Sequence, residues 1–189
     1  DWLQGMRNAG IPIQTLSGKN QLLAVNLAGI DSITKDQLEA LEEYAPNIVE
    51  IDLGFSNFND ELMSYIRPFR NLLKLKLQNT KVTDAIGKYL VDFELLESLN
   101  LYGTSVTDKL IQELKRNKKL QNIYLWKTDV TDDGLVLLQR NLPNLTIQQL
   151  EADLFEATVL DPPTILSDAS FFSDSLVLTI ENLFEGTDI

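Results

Sequence analysis

LESLNLYGTSVTD, residues 96–108, recurs with drift along most of the chain. From Leu72 the sequence reads LLKLKLQNTKVTD, from Leu120 LQNIYLWKTDVTD and from Ile48 IVEIDLGFSNFND; a looser copy, LLAVNLAGIDSIT, begins at Leu22. The copies start at 22, 48, 72, 96 and 120, spacings of 26, 24, 24 and 24 residues. Each opens with an alternation such as Lys74-Leu75-Lys76-Leu77, and a period of two marks a strand with one face buried. A hydroxyl follows at a fixed offset: Ser56, Thr80, Thr104 and Thr128. Buried, it would have to satisfy backbone groups of the adjoining turn. Phe58, Val82, Val106 and Val130 then fill one core position. A polar pair comes next: Asn59-Asp60, Thr83-Asp84, Thr107-Asp108 and Thr131-Asp132. Short oxygen-bearing side chains ahead of an apolar-periodic run are helix N-caps, and an acid there favours the helix start. The runs expected to be buried carry Leu62/Ile66, Ile86/Leu90, Leu110/Leu114 and Leu135/Leu138.

A fixed period in the low twenties with the frame LxxLxL is the signature of a leucine-rich-repeat solenoid. The expected fold is a right-handed α/β solenoid of about five repeats, with parallel strands on the concave face and helices on the convex face. Residues 1–21 read as an N-terminal cap, which such a stack needs to cover its first core edge. Within it, residues 1–9 read as a short helix, and Ile11 to Leu16 as a strand that Pro12 confines to an edge. The repeats span 22–150. Residues 151–163 form a linker with a stiff Asp161-Pro162-Pro163 break. Residues 164–189 hold an incomplete β segment, where Leu176, Leu178 and Ile180 alternate with Val177 and Thr179. One or two strands cannot make a stable domain, so the chain reads as a piece of something longer. Its start at Asp1, without a basic and apolar leader, fits the same expectation.

Composition narrows the chemistry. Among 189 residues there is no Cys and no His, which excludes disulfides, a Cys/His zinc site, haem attachment through CxxCH and any Cys–His or Ser–His catalytic pair. No cofactor is expected. No apolar run approaches the ~18–20 residues that span a bilayer. The net charge of −12 is uneven: residues 151–189 hold nine acids and no base, while residues 1–150 hold 19 acids against 16 bases. Neither part offers the basic stripe that nucleic-acid binding requires. Paired carboxylates such as Glu42/Glu43 and Asp132/Asp133 lie in no pocket-forming motif, so no enzyme activity is expected.

The outward strand positions form three columns: Ala24, Glu50, Lys74, Ser98, Asn122; then Asn26, Asp52, Lys76, Asn100, Tyr124; then Ala28, Gly54, Gln78, Tyr102, Trp126. Adjacent strands lie about 4.8 Å apart, so Glu50 should meet Lys74 and Asp52 should meet Lys76. Charges paired in solvent contribute little. The aromatic cluster Tyr102, Tyr124 and Trp126 is the candidate partner-binding site, because exposed aromatics gathered on one face are enriched at interfaces. Asn100 and Asn122 beside it could hydrogen-bond a glycan or a peptide backbone. Alternatively, the cluster packs against a neighbouring β module or the end cap. Asp129, Asp132 and Asp133 offer oxygens to Ca²⁺, but lack the Gly and terminal Glu of an EF-hand loop. The basic run Lys115, Arg116, Lys118, Lys119 reads as a solvated loop that complements a helix C-terminus.

The frame LxxLxLxxTxVTDxxL, with LNLYGTSVTD at 99–108 and IYLWKTDVTDDGL at 123–135, resembles a bacterial leucine-rich-repeat family whose repeats follow a planctomycete-type cytochrome c domain in large envelope proteins. The opening NAGIPIQTLSGKNQLLAVNL is similar to the entry of those repeats. The stretch from Pro162, PPTILSDASFFSDSLVLTIENLFEGTDI, resembles the first third of a chitobiase/hexosaminidase C-terminal-type β-sandwich module. The repeat resemblance covers about residues 8–150 and the second one 162–189. It implies a monomeric, non-catalytic module of a cell-envelope protein, periplasmic or surface-exposed, anchored through parts outside this chain. Its role would be to bind a protein or carbohydrate, or to act as an inert spacer between a redox domain and a β-sandwich. Any haem would belong to those other parts.

Overall fold

A computed structural model describes residues 11–17 and 21–148. The expected helix at residues 1–9, the linker at 151–163 and the β segment at 164–189 lie outside them. The described chain is an α/β leucine-rich-repeat solenoid. Seven strands form one sheet in sequence order: β1 Ile13–Ser17, β2 Leu22–Asn26, β3 Ile48–Asp52, β4 Lys74–Lys76, β5 Ser98–Asn100, β6 Asn122–Tyr124 and β7 Thr146–Gln148. From β2 to β7 every pairing is parallel. β1 instead runs antiparallel to β2, at the edge to which Pro12 had assigned it.

Between strands the chain returns through short helices: α1 Lys35–Glu39, α2 Met63–Ile66, α3 Gly87–Leu90, α4 Asp108–Leu114 and α5 Asp132–Asn141. A 24-residue repeat leaves little room for helix, and α3 gains a turn only through the 3₁₀ segment Asp84–Ile86 before it. Thr83, Thr107 and Thr131 cap these elements as expected, and Thr34 does the same at α1, each side-chain oxygen accepting a first-turn N–H. At α2 the N-cap is instead Leu62, and Asn59 accepts the N–H of Glu61 and Leu62 just before it.

Leu75, Leu77, Leu99, Leu101 and Ile123 are sealed from solvent, with Phe58, Val82 and Val106 behind them. Val130 at the same position is only partly buried, since it lies in the last of the described repeats. Two expected helix contacts also shift. In α2 it is Met63, one residue on, that is buried while Leu62 is half-exposed, and in α5 Leu135 is half-exposed while Leu138 is sealed. Phe69 and Phe93, 24 residues apart, are both fully buried, and Asn117 takes the next station at 2% exposure. Its amide nitrogen donates to the carbonyls of Leu90 and Phe93 at 2.8 and 3.3 Å.

Polar contacts repeat with the same period. The hydroxyls of Ser56, Thr80, Thr104 and Thr128 each donate to the carbonyl three residues earlier, at 2.5–2.7 Å. The acid of each polar pair reaches forward into the next repeat. Asp60, Asp84 and Asp108 each accept both the backbone N–H and the hydroxyl of Thr83, Thr107 and Thr131, respectively, at 2.7–2.9 Å. A sequence reading assigns these acids to their own helix starts; the structure shows them also joining neighbouring repeats. On another face, Asp92 receives Arg67 at 2.6 Å and Arg70 at 2.7 Å. The Arg67 hydrogen bond, aided by Arg70 and opposed by burial, holds the Asp92 carboxyl below its ordinary range.

Candidate functional site

The strand register aligns the first two columns as drawn from the sequence and extends them to Thr146 and Gln148. Glu50 meets Lys74 at 2.6 Å and Asp52 meets Lys76 at 3.2 Å. The lysine side chains are about half exposed (50% and 49%), so these pairs gain little energy. Their effect is to leave this half of the face without net charge.

Where each strand ends, the chain turns sharply through a left-handed residue. Gly29, Phe55, Asn79, Gly103 and Lys127 have φ of 73°, 55°, 50°, 66° and 54°. Side chains of the second column brace the turn: Asn26, Asp52 and Asn100 accept the N–H of Ala28, Gly54 and Tyr102 at 3.0–3.1 Å. Asn100 is therefore committed through its oxygen to the turn that presents Tyr102, and only its amide nitrogen could serve a partner. Gln78 lies across Gly54, where a methyl group would collide with its amide. Its nitrogen donates to Asp52 at 3.2 Å.

The aromatic cluster resolves into a pair and a neighbour. Tyr102 and Trp126 stand with centroids 5.2 Å apart and planes tilted by 33°, in the range of favourable ring contacts. Tyr124 lies in the adjoining column, between Asn100 and Gln148 in register, and is 39% exposed. Asn122 is half-buried and lines a shallow, open hollow of about 610 Å³ with Glu97, Lys118, Lys119, Asn144 and Thr146. Lys118 and Lys119 of the basic run thus reach this hollow, while the run also meets helix ends as expected: Lys115 is the C-cap of α4, and Lys118 donates to the carbonyl of Asn141, the last residue of α5, at 3.4 Å.

Sequence reasoning missed Lys127. Its ammonium sits 5.0 Å from the Trp126 centroid and 5.7 Å from that of Tyr102, so it covers both rings. The signal was there: Lys127 occupies the station that holds Gly29 and Gly103 in other repeats, a backbone conformation that ordinary residues avoid. Asp132 and Asp133 open α5, and Asp129 donates its backbone N–H to Val106. Among the described residues no group of three or more acids is gathered for a metal ion.

No family model and no curated protein matches the sequence. Solved structures do. Internalin C2 from Listeria monocytogenes aligns with TM-score 0.52 and 20% identity, over 70% of this chain and 54% of its own. The actin-binding site 2 of leiomodin-1 aligns with TM-score 0.51 and 16% identity, over 64% of this chain and 79% of its own. A further internalin from Listeria monocytogenes aligns over 59% of this chain and 31% of its own, with TM-score 0.47 and 16% identity. The chain thus spans about half or less of the internalins it matches. At these identities the alignments with TM-scores of 0.52 and 0.51 establish the leucine-rich-repeat fold.

Proposed function

We propose that this solenoid is a non-catalytic interaction module that holds a protein or carbohydrate partner on its concave face. The contact would centre on Tyr102, Tyr124 and Trp126, with Asn100 and Asn122 contributing hydrogen bonds. The observation that carries this reading is the unspent aromatic surface: Tyr124 is 39% exposed, and Tyr102 and Trp126 are each half-buried, on a face otherwise made mostly of polar and charged side chains. Large aromatics supply most binding energy where they can be desolvated. One structural neighbour, leiomodin-1, is named for an actin-binding site, which lends general support to a protein partner. The module would belong to a larger, monomeric cell-envelope protein, as the sequence resemblance implies. Among the described residues no helix is long and apolar enough to cross a membrane, and with a net charge of −12 nucleic acid is not the partner.

The test is saturable binding by this chain to peptide and oligosaccharide arrays, repeated with Trp126→Ala. Binding that requires Trp126 supports the reading; its absence on every array defeats it. A second reading is an inert spacer between a redox domain and a β-sandwich. Lys127 favours it by covering the ring pair from within the chain. The envelope context has its own check, a haem stain and an antibody to this chain on one gel of the native envelope fraction. A large haem-positive band supports the context, and a 21 kDa band without haem overturns it.

A further inference from the structure

We infer that the partner is an extended peptide segment bearing a carboxylate, and that Lys127 is its counter-charge. The inference rests on the concave-face reading above and specifies its chemistry.

The charge distribution carries it. Across β5, β6 and β7 the outward rows are Ser98–Asn122–Thr146 and Asn100–Tyr124–Gln148, followed by Tyr102, Gly103, Trp126 and Lys127. None of these outward residues is an acid, in a chain of net charge −12, and Glu97 lines the hollow beside Asn122. In the other half Glu50 and Asp52 each already hold a lysine. Lys127 is exposed and enters none of the ion pairs found among the described residues. The rings beneath it position the ammonium but accept none of its hydrogen bonds in the way an oxygen would, so its donors stay available.

Each alternative fits less well. A cationic segment would meet Lys127 and find no acid to answer it. A sugar stacking on Trp126 would need the ring face that the ammonium covers. A polyanion would meet Lys127 and, at the adjoining hollow, Lys118 and Lys119, but on a strongly acidic molecule. A single carboxylate on an otherwise neutral strand meets one cation seated on Trp126, the exposed ring of Tyr124, and the side-chain amides of Asn100, Asn122 and Gln148 for its backbone. The chain's overall repulsion of acids is screened beyond about 8 Å at physiological salt, whereas the contact at Lys127 is not.

The test uses the full chain and arrays of twelve-residue peptides printed in pairs, each Asp or Glu member beside its Asn or Gln counterpart. Acidic members should bind about tenfold more tightly, as expected of one partly desolvated charge pair. That preference should vanish in Lys127→Gln and persist in Lys127→Arg, neither of which alters the burden on the left-handed backbone. Binding that needs Trp126 but ignores the acid, favours basic members, or keeps its acid preference in Lys127→Gln overturns the inference and leaves the interaction reading standing. Binding to no peptide overturns the peptide assignment as well, and oligosaccharide arrays then decide the broader reading; peptide binding unaffected by Trp126→Ala overturns the placement of the site on this face.

Discussion

Asp84 holds Thr107 with both carboxylate oxygens, Oδ1 accepting its backbone N–H and Oδ2 its hydroxyl, each at 2.7 Å. Thr107 in turn caps α4 by accepting the Lys109 N–H at 3.2 Å. Each repeat therefore fixes the helix start of the next. Asp84→Ala leaves a part-buried N–H without its acceptor and should cost about 1–3 kcal/mol. Asp84→Asn retains one acceptor and should cost less. Urea unfolding of both variants checks the order.

The Asp92 carboxyl, held low mainly by the Arg67 hydrogen bond, makes stability depend on pH in a defined sense. A depressed folded value means the contribution is complete above the unfolded carboxylate value of about 3.9 and is lost as pH falls through the lower folded value. The stability advantage of the natural chain over Asp92→Asn should hold from neutrality down to about pH 4 and shrink in stronger acid. Thermal unfolding across that range reads it directly. A constant difference would assign the effect to geometry rather than charge.

Gly103 and Gly29 separate two costs. Both have positive φ, 66° and 73°, but a methyl group at Gly103 meets the Asn79 side chain, while one at Gly29 meets open space. Gly29→Ala should lose about 1 kcal/mol to backbone strain alone, and Gly103→Ala measurably more. If the two lose equally, the Asn79 amide moves aside without cost.

Tyr102 and Trp126 should be coupled. A double-mutant cycle with Tyr102→Leu and Trp126→Leu is expected to return about 0.5–1.5 kcal/mol of interaction in thermal or urea unfolding. An uncoupled pair would mean that Lys127 alone organises the two rings.

Asn117 is buried with both donated hydrogen bonds running to main-chain carbonyls. Asn117→Asp would set a carboxylate against those carbonyls and should cost more than about 3 kcal/mol at neutral pH. Asn117→Ala should cost less, about 1–3 kcal/mol. Reversal of that order would show that the carboxyl enters protonated.

The strand register was legible because leucine spacing and period-two alternation are backbone facts written directly in side-chain type. That is why Glu50 faces Lys74 and Asp52 faces Lys76 as the spacing implied. The capping threonines were legible for the same local reason. The forward reach of Asp84 was not, since a residue's own helix start and its neighbour's are equally near in sequence terms. Nor was Asn117, because an Asn at a Phe station looks like a solvent position until its two carbonyl partners are in place. The same limit applied to the aromatics: spacing placed Tyr102 and Trp126 on one face, but only the left-handed turn at Lys127 shows what lies over them.

That turn recurs at Gly29, Phe55, Asn79, Gly103 and Lys127. Two of the stations use glycine and Asn79 is of a type that tolerates this region; Phe55 and Lys127 carry exposed side chains at a conformational loss, Phe55 being 59% exposed. Nothing in the core requires a side chain there. The row therefore behaves as a keyboard along the rim: its pitch is set by the fold, while the letters Phe and Lys are chosen against the fold's own preference. A surface demand outside the core would be the reason for that choice, and grafting new letters at these stations is the least disruptive way to change what the rim meets.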